Sequence, residues 1–179
     1  MKEFFSKLFK WLVDLLFMTY NTIENYGDKI NVNCMFSNRK WNYIDIAKQV
    51  LYQQLHIDNV LLNIVENTKA LDKLSPDDIE YQAILVKTAP KVYTLYARKS
   101  SFSPTMLCHE LKHLEQYEKN KLQLLDSKAY KWLGKEYPAS YPYDSRPWER
   151  EAFAAQATLW RNYKIFKKNK KNETTKTRI

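Results

Sequence analysis

The sequence predicts an α+β domain, and three observations lead to this prediction. The 179 residues are 45% hydrophobic and 15% aromatic, which is enough apolar material for one domain with its own core. Segments with alternating apolar residues are interspersed with segments in which apolar residues recur at helical spacing. Prolines at 104 and 147 stand where two helices are expected to begin, since proline is favoured in the first helical turn.

The first element is expected to be an amphipathic helix within residues 1–27. Apolar residues dominate positions 4–18, and Lys7, Lys10 and Asp14 interrupt them at intervals of three or four residues. These charges leave no long apolar run, and no signal-peptide pattern is present, so neither a transmembrane helix nor a secretory signal is expected. The helix is expected to pack on the domain, to dock on a partner or to lie on a membrane.

Strands and helices are expected to alternate through residues 28–166. Strands are predicted at Lys29–Phe36, Val60–Val65, Ile79–Val86 and Val92–Arg98. Helices are predicted at Asn42–His56, from Ser103-Pro104 to about Tyr117, and from Pro147 to Phe166. A turn is predicted at Ser75–Asp78, and residues 118–146 are expected to be mostly irregular, with a short strand near Tyr130–Tyr137.

The formal net charge of +9 is concentrated at the C-terminus. Residues 161–179 contain eight basic residues and one acidic residue, so the rest of the chain carries only +2. Residues 167–179 are therefore expected to form a basic flexible tail, which either stays solvated or contacts nucleic acid or another anionic surface. The sequence contains only two glycines and two cysteines, which excludes glycine-rich phosphate-binding loops and a disulfide framework.

Two of the three histidines lie in one predicted helix, in the run His109-Glu110-Leu111-Lys112-His113. Residues four apart share a helix face, so both imidazoles can reach one zinc ion at the usual zinc–nitrogen distance. Glu110 lies about 100° round the helix, which suits a carboxylate that takes a proton from a metal-bound water. The run therefore predicts a zinc site with Glu110 as the general base.

A zinc site of this kind needs a third protein ligand, and the last predicted helix offers a carboxylate. Glu149 and Glu151 are two residues apart, so only one of them is expected to face the metal. Small neighbours, including Ala154 and Ala155, permit close approach of Glu151 to the histidine helix, whereas Phe153 lies beside Glu149. Glu151 is thus the expected third ligand and Glu149 is the alternative.

Further residues are candidates for handling the substrate. Tyr141, Tyr143 and Arg146 lie between the two ligand-bearing helices in sequence and are candidate donors to an oxyanion. An extended peptide substrate is expected to pair with strand Val92–Arg98 by backbone hydrogen bonds.

On these residues, positions 28–166 resemble the gluzincin metallopeptidases and, in size, the minigluzincins. The resemblance implies a zincin-like α+β fold, with a small twisted mixed sheet, a backing helix, an HExxH active-site helix and a C-terminal glutamate-bearing helix. It also implies that His109, His113 and Glu151 bind zinc and that Glu110 is the general base and acid. The second domain of the larger gluzincins is missing, and no residue matches their transition-state histidine or tyrosine.

The expected function is therefore zinc-dependent hydrolysis of a peptide or protein. Two alternatives remain: a zinc-binding, non-catalytic protein of a larger assembly such as a virion, held there through its N-terminal helix, and an adaptor that binds nucleic acid or a membrane through its two ends. Gln116 and the run Pro147–Ala152 are also similar to small phage- and bacteria-encoded HExxH proteins. Without an export signal and with few cysteines, the chain is expected in the cytoplasm or in a virion.

Overall fold

The structure, a computed structural model, describes residues 30–36, 40–74, 81–125 and 129–176. The helix expected within residues 1–27 and the turn expected at 75–78 lie outside these ranges. No helix in the described part of the chain combines the length and apolar character needed to cross a bilayer.

The described elements alternate as an α+β chain. The helices are α1 (Tyr43–Gln49, continued by a π-helical turn at Val50–Gln54), α2 (Thr68–Leu74), α3 (Pro104–Glu118) and α4 (Pro147–Lys176). The strands are β1 (Ile30–Cys34), β2 (Val60–Glu66), β3 (Ala83–Ala89), β4 (Val92–Ala97), β5 (Leu122–Leu124), β6 (Tyr130–Trp132) and β7 (Lys135–Tyr137). Helix α2 was not predicted, because seven residues are too few for helical periodicity to be recognised.

Strands β1 to β4 form one mixed sheet in the order β1-β2-β4-β3. Strands β1, β2 and β4 are parallel, and β3 runs antiparallel to β4. The expectation that Val92–Arg98 offers a free edge to a substrate is wrong, because β4 pairs with β2 on one side and with β3 on the other. A tight turn at Pro90-Lys91 folds β3 against β4, so that β3 instead lies at the edge of this sheet.

The main core lies where helices α1 and α3 pack against the sheet. Alternate residues of the central strands are buried, including Leu62 and Ile64 in β2, as expected for a sheet with one face against helices. Helix α3 contributes a stripe of fully buried leucines at 107, 111 and 114. The Tyr43 hydroxyl of α1 donates a hydrogen bond to the carbonyl oxygen of Phe102 at 2.8 Å, which fixes the chain just before α3 begins.

Helix α4 continues through Lys176, ten residues beyond its expected end, so most of the segment expected to be a flexible tail is helical. No proline or glycine interrupts residues 167–176, and extending an existing helix is much easier than starting one. Two contacts tie α4 to α1 at this point: the Tyr163 hydroxyl donates to Asp45 at 2.6 Å, and Lys167 pairs with the same carboxylate at 2.8 Å.

Strands β5, β6 and β7 form a small antiparallel sheet where a single short strand was expected. Leu133 and Gly134 make the turn between β6 and β7 with φ values of 48° and 87°, the conformation that a two-residue hairpin turn of type I′ requires. The ring of Trp148, at the start of α4, packs on Tyr130 and Tyr137 of this sheet with ring centroids 5.0 and 5.5 Å apart. The small sheet thereby supports the first turn of α4.

Candidate metal centre

The two histidines are presented by a helix whose start is fixed locally. The Ser103 side chain accepts a hydrogen bond from the backbone N–H of Met106 at 3.2 Å, and Pro104 occupies the first turn. The leucine stripe of α3 faces the core, so His109 and His113 lie on the neighbouring face, toward α4. Both imidazoles are buried, with less than a tenth of each residue exposed.

Helix α4 brings Glu149 to these histidines. Glu149 lies in the first turn of α4, where the positive end of the helix dipole favours a carboxylate. Its Oε2 atom lies 3.2 Å from Nε2 of His109 and 3.2 Å from Nε2 of His113, and the two Nε2 atoms are 3.1 Å apart. His109, His113 and Glu149 thus form a buried group that could hold a metal ion.

The spacing of the three donor atoms fits a tetrahedral metal. Ligands at about 2.0–2.1 Å from a tetrahedral zinc are separated from one another by about 3.3 Å. The three separations of 3.1 to 3.2 Å match one face of such a tetrahedron before any ion is added. Two neutral imidazoles and one carboxylate are also a usual zinc donor set, which leaves a fourth position open.

The preference for Glu151 as the third ligand is not supported by this geometry, and the alternative Glu149 takes that place. Glu151 points to the other side of α4, where its carboxylate accepts hydrogen bonds from Gln116 Nε2 at 2.8 Å and from Lys121 Nζ at 3.1 Å. Phe153, the bulky neighbour of Glu149, does not keep that carboxylate away from α3. Instead the Phe153 ring packs against the ring of His109, with centroids 4.5 Å apart, and forms part of the wall of the site.

The two histidines are held in different ways. Nδ1 of His113 lies 2.8 Å from Oε1 of Gln116, one turn further along α3. Nδ1 of His109 is buried and has no hydrogen-bond partner among the described residues, so that ring is placed by packing on Phe153.

Charges within the group shift the pKa values of His113 and Glu149. Burial works against a charged imidazole, but the hydrogen bond and charge of Glu149, with smaller contributions from Glu110 and Gln116, raise the pKa of His113 to about 9. Burial likewise works against the Glu149 carboxylate, yet its contacts with His109 and His113 hold its pKa far below the usual value. Without a metal, the group is therefore an ion pair at neutral pH.

Glu110 lies beside this group, and its pKa is raised where that of Glu149 is lowered. Burial raises the pKa of the Glu110 carboxyl, and the charge of Glu149 raises it further, while His113, His109 and a hydrogen bond from the Leu85 backbone oppose the rise. A carboxyl whose pKa is raised toward neutral pH is suited to accept and release a proton during a reaction. The contact with Leu85 also places Glu110 against strand β3.

Of the three candidate oxyanion donors, Tyr143 lies at the centre of the site. It belongs to a short 3₁₀ turn, Tyr143–Ser145, and its hydroxyl donates to Oε2 of Glu149 at 2.9 Å. Burial and the Glu149 carboxylate raise the pKa of Tyr143, so the phenol keeps its proton and remains a donor. Arg146 lines the adjacent cleft but donates through Nε to the carbonyl oxygen of Tyr141 at 3.1 Å, and Tyr141 itself packs on Tyr137.

A cleft runs along strand β3 on both sides of the three donor atoms. One cavity of about 580 Å³ extends toward Arg146 and the small sheet, and a second of about 400 Å³ extends toward Met106 and Phe153. The two cavities share His109, Glu110 and Tyr143 as lining residues, together with residues at the start of β3. An extended chain could therefore pass over the site from one cavity into the other.

Two features of the site were missed by the sequence argument. The first is the contact of Gln116 with His113, for which the spacing of three residues on one helix was a usable signal. The second is the edge position of β3, for which the sequence gives no signal, because strand order depends on pairing between distant residues.

No family model matches the chain, and neither a curated protein nor a solved structure matches it.

Proposed function

We propose that this protein is a zinc-dependent metallopeptidase, with His109, His113 and Glu149 as the metal ligands. The observation on which the proposal chiefly depends is the buried triangle of donor atoms, with separations suited to tetrahedral zinc. Glu110 next to that triangle supplies the base that peptide hydrolysis requires.

The fold supports a zincin-like assignment of the gluzincin type as part of this proposal. A mixed sheet, a helix α1 behind the histidine helix, and a later helix with a ligand glutamate are the parts that the resemblance implies. The ligand glutamate proposed here is Glu149, in the first turn of α4, and the edge strand beside the histidine helix is β3.

Strand β3 offers backbone groups for holding an extended peptide. The N–H of Arg98 donates to the carbonyl oxygen of Gln82 at 2.9 Å, so alternate residues from Gln82 bond to β4. The intervening residues, Ala83, Leu85 and Lys87, direct their backbone groups away from β4, and no described strand pairs with that edge. Leu85 already bonds to Glu110 through its backbone, so a peptide would use the remaining backbone groups of this edge. A peptide added there would lie along the cleft and across the metal ligands.

Glu110 and Tyr143 would have separate roles in peptide hydrolysis at this site. Zinc, when bound, would lower the pKa of water to about 7 and polarise the substrate carbonyl. The Glu110 carboxylate would accept the proton of the attacking water and pass it to the leaving amine nitrogen. The Tyr143 hydroxyl, which donates to Glu149 Oε2 at 2.9 Å, would exchange this partner for the developing oxyanion.

The proposal is tested by measuring bound zinc and hydrolysis of a varied peptide library for the wild type and Glu110→Gln. The wild type is expected to bind one zinc ion and to cleave peptides, and Glu110→Gln is expected to bind zinc equally and to lose cleavage. Stoichiometric zinc with no cleavage by the wild type would instead favour a non-catalytic zinc protein of an assembly. A folded wild type that takes up no supplied zinc would refute both functions.

A further inference from the structure

The orientation of His113 depends on a polar network that lies outside the metal ligands. Gln116 is fully buried and its amide contacts three groups. Its Oε1 lies 2.8 Å from Nδ1 of His113, and its Nε2 donates to the carbonyl oxygen of Trp148 at 3.0 Å and to Oε2 of Glu151 at 2.8 Å.

These partners allow only one orientation of the Gln116 amide. The carbonyl of Trp148 and the carboxylate of Glu151 are both acceptors, so the NH₂ group must face them. Turning the amide over would place its oxygen against these two acceptors and lose both hydrogen bonds, at a cost in free energy. The amide oxygen is thereby directed at His113.

An acceptor at Nδ1 determines which nitrogen of His113 keeps its proton. Because Oε1 can only accept, Nδ1 must be the donor, and a neutral imidazole with its proton on Nδ1 has its lone pair on Nε2. Nε2 is the atom that faces His109 and Glu149 in the triangle of donor atoms. His109 has no such partner for its Nδ1 among the described residues.

We propose that Gln116, held in place by Glu151 and the Trp148 carbonyl, is a positioning residue that keeps a proton on Nδ1 of His113 and so presents the lone pair of Nε2 to the metal. The inference rests on the zinc site of the proposed function, but it does not require that the protein be a peptidase. It assigns a role to Glu151, which acts on the metal through Gln116 and His113 and not as a ligand.

Lysines around Glu151 hold its carboxylate in place. Its Oε1 atom accepts a hydrogen bond from Lys121 Nζ at 3.1 Å and lies 3.5 Å from Lys112 Nζ. Glu115 shares these lysines, at 2.6 Å from Lys112 and 3.7 Å from Lys121, and its carboxylate has no hydrogen bond to Gln116 among those described. Glu115→Gln is therefore a matched control, which disturbs the same lysines and leaves the amide of Gln116 in place.

The first test compares zinc affinity, measured by chelator competition, in Gln116→Leu and in the control Glu115→Gln. Removing the acceptor in Gln116→Leu is expected to weaken zinc binding about 10- to 100-fold, as is usual for the hydrogen-bond partner of a metal-bound histidine. The control Glu115→Gln is expected to stay within about fivefold of the wild type, because it leaves the acceptor at Nδ1 in place. Circular dichroism of each variant establishes that it is folded.

The second test follows the proton itself by ¹H–¹⁵N NMR of the imidazoles in the zinc-loaded protein. In the wild type the Nδ1–H of His113 is expected to give a hydrogen-bonded, slowly exchanging signal, and in Gln116→Leu that signal is expected to move upfield and exchange faster. A loss of packing alone would not alter the hydrogen bond at this one nitrogen in a folded variant.

The third test asks whether Glu151 acts through Gln116. Glu151→Ala is expected to weaken zinc binding about fivefold in the wild-type background and to have no further effect in Gln116→Leu, because the two residues would act in series.

The inference would be overturned if the wild type binds zinc and folded Gln116→Leu has the same zinc affinity and the same Nδ1–H signal as the wild type. That result would leave the zinc site itself intact. A wild type that binds zinc but cleaves no peptide would remove the peptidase and leave the positioning role standing.

Discussion

The replacement of Glu149 by glutamine tests the revised ligand set most directly, because Glu151→Gln makes the same chemical change two residues away on the same helix. Glu149 Oε2 lies 3.2 Å from Nε2 of both histidines, whereas Glu151 contacts Gln116 and Lys121. Only the first substitution should remove a charged donor from the metal.

The expected difference can be scaled from the contacts. Loss of a residue that hydrogen-bonds to a metal ligand typically lowers metal affinity about 10- to 100-fold. Loss of one of three direct ligands should therefore cost at least about 100-fold, or about 2.8 kcal/mol. Glu151→Gln keeps an oxygen that can accept from Gln116, so its effect should not exceed about fivefold.

The assay is competition for zinc between each variant and a chelator of known affinity, at a fixed pH, with thermal unfolding of the metal-free proteins as a check on folding. If Glu151→Gln weakened zinc binding more than Glu149→Gln did, the geometric assignment would be wrong. The same conclusion would follow if a folded Glu149→Gln bound zinc within a few-fold of the wild type.

Four further predictions concern pH, catalysis and stability. The pKa of His113 is raised to about 9 in the metal-free protein, so zinc must displace a proton below that pH. Zinc affinity should therefore rise about tenfold per pH unit up to about pH 9 and then level off. Calorimetry in buffers of different ionisation enthalpy should detect about one released proton at neutral pH. In the metal-free protein, the stabilisation from charged His113 should be complete below about pH 6.5 and should be lost as the pH rises through about 9, which denaturant titrations at several pH values would reveal. Tyr143→Phe should bind zinc within about fivefold of the wild type and should lower kcat about 100-fold, and an unchanged kcat would remove Tyr143 as the oxyanion donor. Leu111→Ala, at a fully buried position of α3, should destabilise the protein by about 2–5 kcal/mol in denaturant unfolding, whereas a change below 1 kcal/mol would mean that the helix packs more loosely than described.

Much of the local structure could be predicted from residues near one another in the chain. Ser103 and Pro104 determine where α3 begins, and a spacing of four residues places His109 and His113 on one face of it. The main strands also agree with prediction to within a few residues, since their patterns of apolar residues are local. The predicted end of α4 at Phe166 was too early, because nothing in residues 167–176 stops a helix that is already formed.

The sequence by itself determined that two histidines share one face of a helix, where both could reach one metal ion, with a glutamate beside them, because those relations depend only on helical spacing. Which carboxylate completes the site, and which strand lies beside it, depended on how distant segments pack. The angle at which α4 crosses α3 directs Glu149 to the histidines and Glu151 to Gln116. The antiparallel pairing of β3 with β4 leaves β3, and not β4, at the sheet edge beside Glu110. These relations arise from burial and pairing summed over the whole domain, so only the tertiary structure could decide them.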